Sequence, residues 1–269
     1  MSGAPSELVV GGFSAHVFVE DLESLVLSES DAHHLFRVRR LRAGERVSAG
    51  DGAGRWRACE VEPGGAGLTA VGPVALAERP SPALTIGFAL VKGERPESVV
   101  QKLTEAGIDR IIPLVTERSV VRWSGPEAGR HGVKLQRAAR EAAMQSRRAW
   151  VPVVSALTSF AAVVEEFAPS GGVAMAALGG EAPSLSRPVV LVGPEGGWSP
   201  GELSVPLRRV ALGEFVYRAE TAAVVAGGLL AALRANLAVE PGAETGAGPG
   251  AETRAERGPG PAPHPASRP

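Results

Sequence analysis

Two apolar rhythms run along this chain. Up to about residue 78 the apolar positions come in short runs bounded by glycines, and 16–19, 46–49, 55–61 and 67–71 read as strands separated by Gly-rich turns. One helix interrupts them: Ser28 and Asp31 have the spacing of a capping box, and Leu35, Val38 and Leu41 follow at intervals of three. This pattern predicts a small β-barrel with one helix. Arg79-Pro80-Ser81-Pro82 cannot continue a helix or a central strand, because proline lacks the backbone donor, so a domain boundary falls between 78 and 79.

Beyond that boundary the apolar runs lengthen and alternate with helical periodicity. The predicted strands are 83–91, 110–115, 173–177, 188–192 and 209–212. The predicted helices are 97–106 (closed by Gly107), 134–146, 200–208 and 220–237. Near-continuous apolar strands alternating with helices predict an α/β domain over 79–240, with a mainly parallel sheet covered on both faces. From 241 to 269 almost nothing apolar is larger than Ala, so this stretch cannot bury enough surface to offset its ordering entropy and reads as a disordered tail.

Composition narrows the function classes. With 269 residues, 44% hydrophobic and 21% charged, the chain suits two modest globular domains. No apolar run approaches bilayer length and no basic-then-apolar leader opens the sequence, so the expectation is a cytoplasmic protein with no membrane partner. The single cysteine, Cys59, excludes an internal disulfide. His33 and His34 are adjacent, with no other His or Cys at ligand spacing, so no metal is expected. A formal net charge of −1 leaves affinity for a polyanion to local patches.

Two strands empty into polar, glycine-rich loops. The run 189–192 ends at Val192 and opens into Gly193-Pro194-Glu195-Gly196-Gly197-Trp198, where a backbone without Cβ atoms can approach a ligand at the carboxyl end of a strand. A tight turn with a solvated Glu195 explains the same residues equally well. The loop lacks the Gly-Lys-Ser/Thr ending of a phosphate loop, and no G-x-G-x-x-G follows any strand. The second loop runs from Leu212-Gly213 to Tyr217-Arg218-Ala219-Glu220-Thr221-Ala222. Carboxylates suit a helix N-terminus, whereas Arg218 there is disfavoured unless it faces an anion. Together the loops suggest one composite pocket.

Several segments, in order, carry a resemblance. Ala32-His33-His34-Leu35 with the arginines after it, Gln101-Lys102-Leu103-Thr104-Glu105, Thr116-Glu117-Arg118-Ser119, Glu141-Ala142-Ala143 with Gln145-Ser146 and Arg148, the 193–197 loop and Arg218 with Glu220-Thr221-Ala222 together resemble the RsmE family. These are bacterial 16S ribosomal RNA uridine methyltransferases of the SPOUT superfamily, acting at N3. The resemblance spans about residues 14–237. It implies a PUA-like N-terminal barrel over 1–78, a SPOUT domain over 79–240 with a C-terminal trefoil knot, and S-adenosyl-L-methionine as cofactor. Carried over, the cofactor pocket takes Ala177 and Leu178, then Val192, Gly193, Pro194, Glu195, Gly196 and Gly197, then Leu212, Gly213, Tyr217, Arg218, Thr221 and Ala222. The chain departs from the family at Tyr217 and Ala219, where Leu and Thr are usual, and at Ala106 in the Glu-Leu-Gly segment. The helix after the 193–197 loop is also shorter than usual.

Methylation at uridine N3 requires loss of the imide proton and an unpaired base, because N3 lies on the Watson–Crick edge. Arg218 is the candidate for stabilising the developing negative charge. Glu220 orients it, accepts the proton, or only caps the helix. Arg37, Arg39, Arg40 and Arg42 form a candidate RNA-binding patch, and Lys92, Lys102, Arg118 and Arg147 a track towards the pocket. The alternative for the first group is favourable interaction with the helix C-terminal dipole plus solvation, and for the second ordinary surface charge. The expected partners are 16S rRNA or the small ribosomal subunit and a second copy in a homodimer. A non-catalytic RNA-binding assembly factor and an enzyme acting on a small metabolite are the alternatives. The intact 193–197 and Arg218–Thr221 segments disfavour the first, and the separate barrel with its arginines the second.

Overall fold

The computed structural model describes residues 7–90, 95–121 and 123–239. The tail expected over 241–269 and the candidate Lys92 lie outside the described residues.

The N-terminal module starts with helix α1 (Glu7–Val10) and strand β1 (Ala15–Phe18). Strands β2 (Arg46–Gly50), β3 (Arg55–Val61), β4 (Leu68–Ala70) and β5 (Ala75–Leu76) complete its sheet. β1 runs parallel to β2, β2–β3–β4 are antiparallel, and β5 pairs with the start of β3. Val17, Leu35, Val47, Cys59 and Val61 fill its core, and burial pushes the Cys59 thiol up to about 11.

The expected helix forms, with a different geometry. Ser28 caps α2 (Glu29–Ala32) by accepting from the Asp31 amide at 3.1 Å. The next turn, His33–Val38, is a π-helix. Its wider turn rotates Val38 off the core face: Leu35 is buried, whereas Val38 is 59% exposed. The Asp31 carboxylate does not close the expected capping box; it accepts from the Ser28 hydroxyl and from Arg140.

The second module holds β6 (Thr85–Ala89), α3 (Arg95–Ala106), β7 (Arg110–Val115), α4 (Gly125–Gln145), β8 (Val153–Val154) and β9 (Thr158–Ser159). There follow α5 (Phe160–Phe167), β10 (Val173–Glu181), β11 (Val189–Val192), α6 (Pro200–Ser204), β12 (Arg208–Val210) and α7 (Ala219–Arg234). The strand order is β12-β10-β11-β6-β7-β8 with β9 on β7, and these pairings are parallel. Side-chain alternation sorts the residues between faces. Ile86, Phe88 and Val190 meet Val100 and Leu103 of α3, Leu135 of α4 and Leu230 of α7. Leu114, Met175 and Leu191 meet Phe160 and Val163 of α5 on the other face.

The sequence reading missed or shortened some elements. α4 starts nine residues earlier than 134, because Pro126 in the first turn offsets the poor helix propensity of Gly125, Gly129 and Gly132. α5 was unread, although Phe160, Val163, Val164 and Phe167 carry helical spacing and Ser159 caps it. α7 stops at Arg234 rather than 237, and Asn236 adopts φ 55° just beyond it.

Two arginine clusters pin the frame. Arg140 of α4 spans the modules, donating from both terminal nitrogens to the Asp31 carboxylate at 3.2 and 2.8 Å and to the Phe18 carbonyl at 3.0 Å. Burial raises the Asp31 carboxyl, but the bonds from Arg140 and Ser28 outweigh it and hold the group below its usual range. Asp109 is paired with both Arg148 and Arg234, tying the start of β7 to the end of α7.

Candidate functional site

The carboxyl ends of β10, β11 and the residues after β12 converge, as the parallel order β12-β10-β11 requires. At the end of β11, Gly193 lies under the Trp198 indole, so that a Cβ there would stand 2.9 Å from the ring. Trp198 Nε1 donates to the Ala176 carbonyl of β10 at 3.0 Å, folding the 193–197 loop back over the sheet. The loop turns through a Gly197 amide to Pro194 carbonyl bond of 2.8 Å, with Gly197 at φ 68°. Ser199 and Glu202 then form a full capping box for α6. The other Glu202 oxygen accepts from the Glu117 amide at 3.0 Å, and Arg118 donates to the Gly196 carbonyl at 2.9 Å. The 116–119 loop is thereby fastened to the 193–197 loop.

After β12 the chain passes Leu212 and Gly213, where a Cβ would stand 2.4 Å from the Tyr217 hydroxyl. Gly193 and Gly213 therefore make room for aromatic side chains of the protein itself as well as baring backbone. Between these segments lies a cavity of about 250 Å³. Ala177 and Leu178 of β10 line it, as do Val192, Gly193, Pro194, Glu195 and Gly197. Leu212, Gly213, Tyr217 and Ala222 close the opposite side.

Three expected cofactor residues fall off this wall. Gly196 is turned towards Arg118, Thr221 is exposed on α7, and Arg218 is exposed at the α7 N-cap with no capping bond from its side chain. Glu220 sits half-buried in the first turn of the same helix. Sequence reasoning missed Ala176, Trp198, Phe215, Val216 and Ala219 as lining residues. Phe215 and Val216 gave a usable signal: two large apolar residues in a loop between Gly213 and Arg218 have no core to enter.

The basic residues separate by environment. Arg37, Arg39, Arg40 and Arg42 are exposed, with Arg39 also donating to the Ser14 carbonyl at 2.6 Å. Lys102 is exposed on α3. Arg118 is exposed and bonds the Gly196 carbonyl of the glycine-rich loop, outside the cavity lining. Arg147 is half-buried, at φ 55°, and donates to the Phe13 carbonyl at 2.5 Å, so it serves the junction between modules. A wider cleft of about 920 Å³ lies between β1, the π-helical turn and α4, and Arg39, His33, His34 and Arg137 face it. His16, at its base, bonds Ser48 Oγ at 2.9 Å, and burial lowers its pKa to about 4.

Residues 78–231 match the family model of an RNA methyltransferase domain, and residues 27–67 that of an RNA methyltransferase PUA domain. The chain is 34% identical over 231 residues to the ribosomal RNA small subunit methyltransferase E of Mycobacterium bovis, covering 77% of this chain and 86% of that one. This chain belongs to the ribosomal RNA small subunit methyltransferase E family. A Synechocystis member is 34% identical over 76% of this chain and 71% of its own length. Among solved structures, a probable rRNA-methyltransferase from Porphyromonas gingivalis superposes with a TM-score of 0.70 at 27% identity, covering 83% of this chain and all of that one. Methyltransferase E from Neisseria gonorrhoeae, bound to S-adenosyl methionine, superposes with a TM-score of 0.69 at 25% identity, covering 81% and 97%. Both glycine-rich loops and the cavity between them lie within the methyltransferase-domain match, and the four exposed arginines lie within the PUA-domain match.

Proposed function

We propose that this chain methylates a uridine at N3 in 16S ribosomal RNA of the small subunit, with S-adenosyl-L-methionine as donor. The observation that carries the reading is the cavity where three parallel strands end, in a chain of this family whose gonococcal relative was solved with that cofactor. The wall fits such a group. Leu178, Leu212 and Val216 offer apolar cover for an adenine ring, and the backbone around Gly193 and Gly213 offers donors and acceptors to its edge and ribose. When bound, the cofactor supplies an electrophilic methyl group and leaves as a neutral thioether.

The chain's own work is to hold the base and manage its charge. The imide proton must leave N3 as nitrogen takes the methyl, and negative charge spreads to the flanking carbonyl oxygens. Arg218 stands at the N-terminus of the 16-residue helix α7 with its guanidinium uncommitted to capping, so cation and helix dipole both favour that charge. Glu220, one helical position past Ala219, orients Arg218 or takes the proton.

The division of labour follows the two sheets: residues 1–78 grip RNA through Arg37, Arg39, Arg40 and Arg42, and residues 79–240 perform the transfer. Lys102 and Arg118 extend the basic surface towards the cavity. The finer architecture we infer is a closed PUA-like barrel and a trefoil knot formed by the loops around the cavity, with a homodimer as the working state in the cytoplasm. Incubation with methyl-labelled S-adenosyl-L-methionine and small subunits lacking the mark tests the reading. Label in 16S RNA is expected; label-free RNA with folded protein overturns it.

A further inference from the structure

The chain holds seven phenylalanines, four tryptophans and one tyrosine, all among the described residues. Phe215 alone is exposed, at 72%. A lone exposed apolar residue is ordinary on a protein surface. Phe215 is different in its company. Val216, 82% exposed, and Leu178, 61% exposed, line the same cavity from the loop after β12 and from β10. The three form an apolar lip on the site, and Arg218 follows two residues after Val216 in the same loop.

The cavity's size decides what that lip meets. About 250 Å³ lies at or below the 300–1,000 Å³ usual for small-molecule sites, so one cofactor fills it and leaves no room for a nucleobase beside it. A base flipped from RNA is therefore received at the mouth. Single-stranded bases are held by stacking on aromatic faces, which works for any base and requires an exposed ring. Phe215 is the ring at that mouth, three residues before the arginine that faces the imide charge.

We propose that Phe215 is a substrate-contacting residue, whose ring stacks on the flipped target pyrimidine and holds its N3 edge between the cofactor and Arg218. The inference rests on the methyltransferase reading above. It assigns the base a platform on the one exposed phenylalanine, tryptophan or tyrosine ring among the described residues.

The test compares wild type with Phe215→Ala, Phe215→Leu and Phe215→Trp. Single-turnover methyl transfer is measured at subsaturating small subunits, with cofactor affinity by calorimetry and oligomeric state by sedimentation velocity. Loss of one base stack lowers RNA-dependent transfer by about 5–150-fold. Phe215→Ala and Phe215→Leu are expected in that range, Phe215→Trp near wild type, and cofactor affinity and oligomeric state unchanged in all three. A Leu variant as active as wild type overturns the proposal, because apolar cover without a ring then suffices. Cofactor affinity falling in step with transfer assigns the ring to the cofactor and overturns it too, as does dissociation of an oligomer. An inactive wild type removes the parent reading along with this one, whereas an active wild type with indifferent variants removes this one alone.

Discussion

Arg218 is the residue on which the proposed chemistry depends. It occupies an N-cap position that favours small oxygen-bearing side chains, it makes no capping bond, and it is exposed beside the cavity. An arginine placed there without a capping bond is suited to an anion that appears during reaction. Arg218→Ala should leave RNA and cofactor affinity nearly unchanged and reduce single-turnover transfer by about 10²–10³-fold, the scale of losing one charge-stabilising donor. His16 makes a different prediction at the same scale. Burial holds its pKa near 4, against 6.5 in an unfolded chain, so the native state refuses a proton that the unfolded state accepts. Stability is full above pH 6.5 and declines as pH falls towards 4, by about 3 kcal/mol in total. Thermal melts of His16→Gln across that window should lose most of this decline. Equal slopes in variant and wild type would place the titration elsewhere.

At the scale of elements, the strand ends and their glycines were legible in sequence because parallel strands must be apolar on both faces and their loops must turn sharply. What the glycines serve was not legible. Gly193 and Gly213 accommodate Trp198 and Tyr217, which is a three-dimensional fact of packing that no spacing encodes. Gly196, by contrast, faces the aliphatic part of Arg118 at ordinary contact distance. Gly193→Val should therefore displace the indole, break its bond to Ala176 and abolish cofactor binding, while Gly196→Ala should bind normally. Calorimetry giving the reverse order would mean that the loop is built around Gly196. The π-helical turn was unreadable too: Leu35, Val38 and Leu41 keep helical spacing whether or not the turn widens, so the pattern does not show that Val38 leaves the core face.

For the whole molecule, two modules meet along α4, and the Asp31–Arg140 pair couples the basic N-terminal surface to the cavity-bearing domain. Arg37, Arg39, Arg40 and Arg42 lie exposed on the first module and the cavity lies wholly in the second. Neutralising the four arginines should weaken RNA binding and flatten its salt dependence by about 0.7–0.9 logarithmic units per lost phosphate contact, with cofactor affinity unchanged. A wild-type slope in that variant would mean that RNA is gripped by the catalytic domain. The proposed reaction is methylation of one uridine at N3, and mass spectrometry reads it directly. Small subunits lacking the mark are incubated with the protein and S-adenosyl-L-methionine, and their 16S RNA is digested and sequenced by mass. A single new N3-methyluridine, absent with Arg218→Ala at equal reaction time, is the predicted result; a methyl on another atom, on a ribose or on no nucleotide would contradict it.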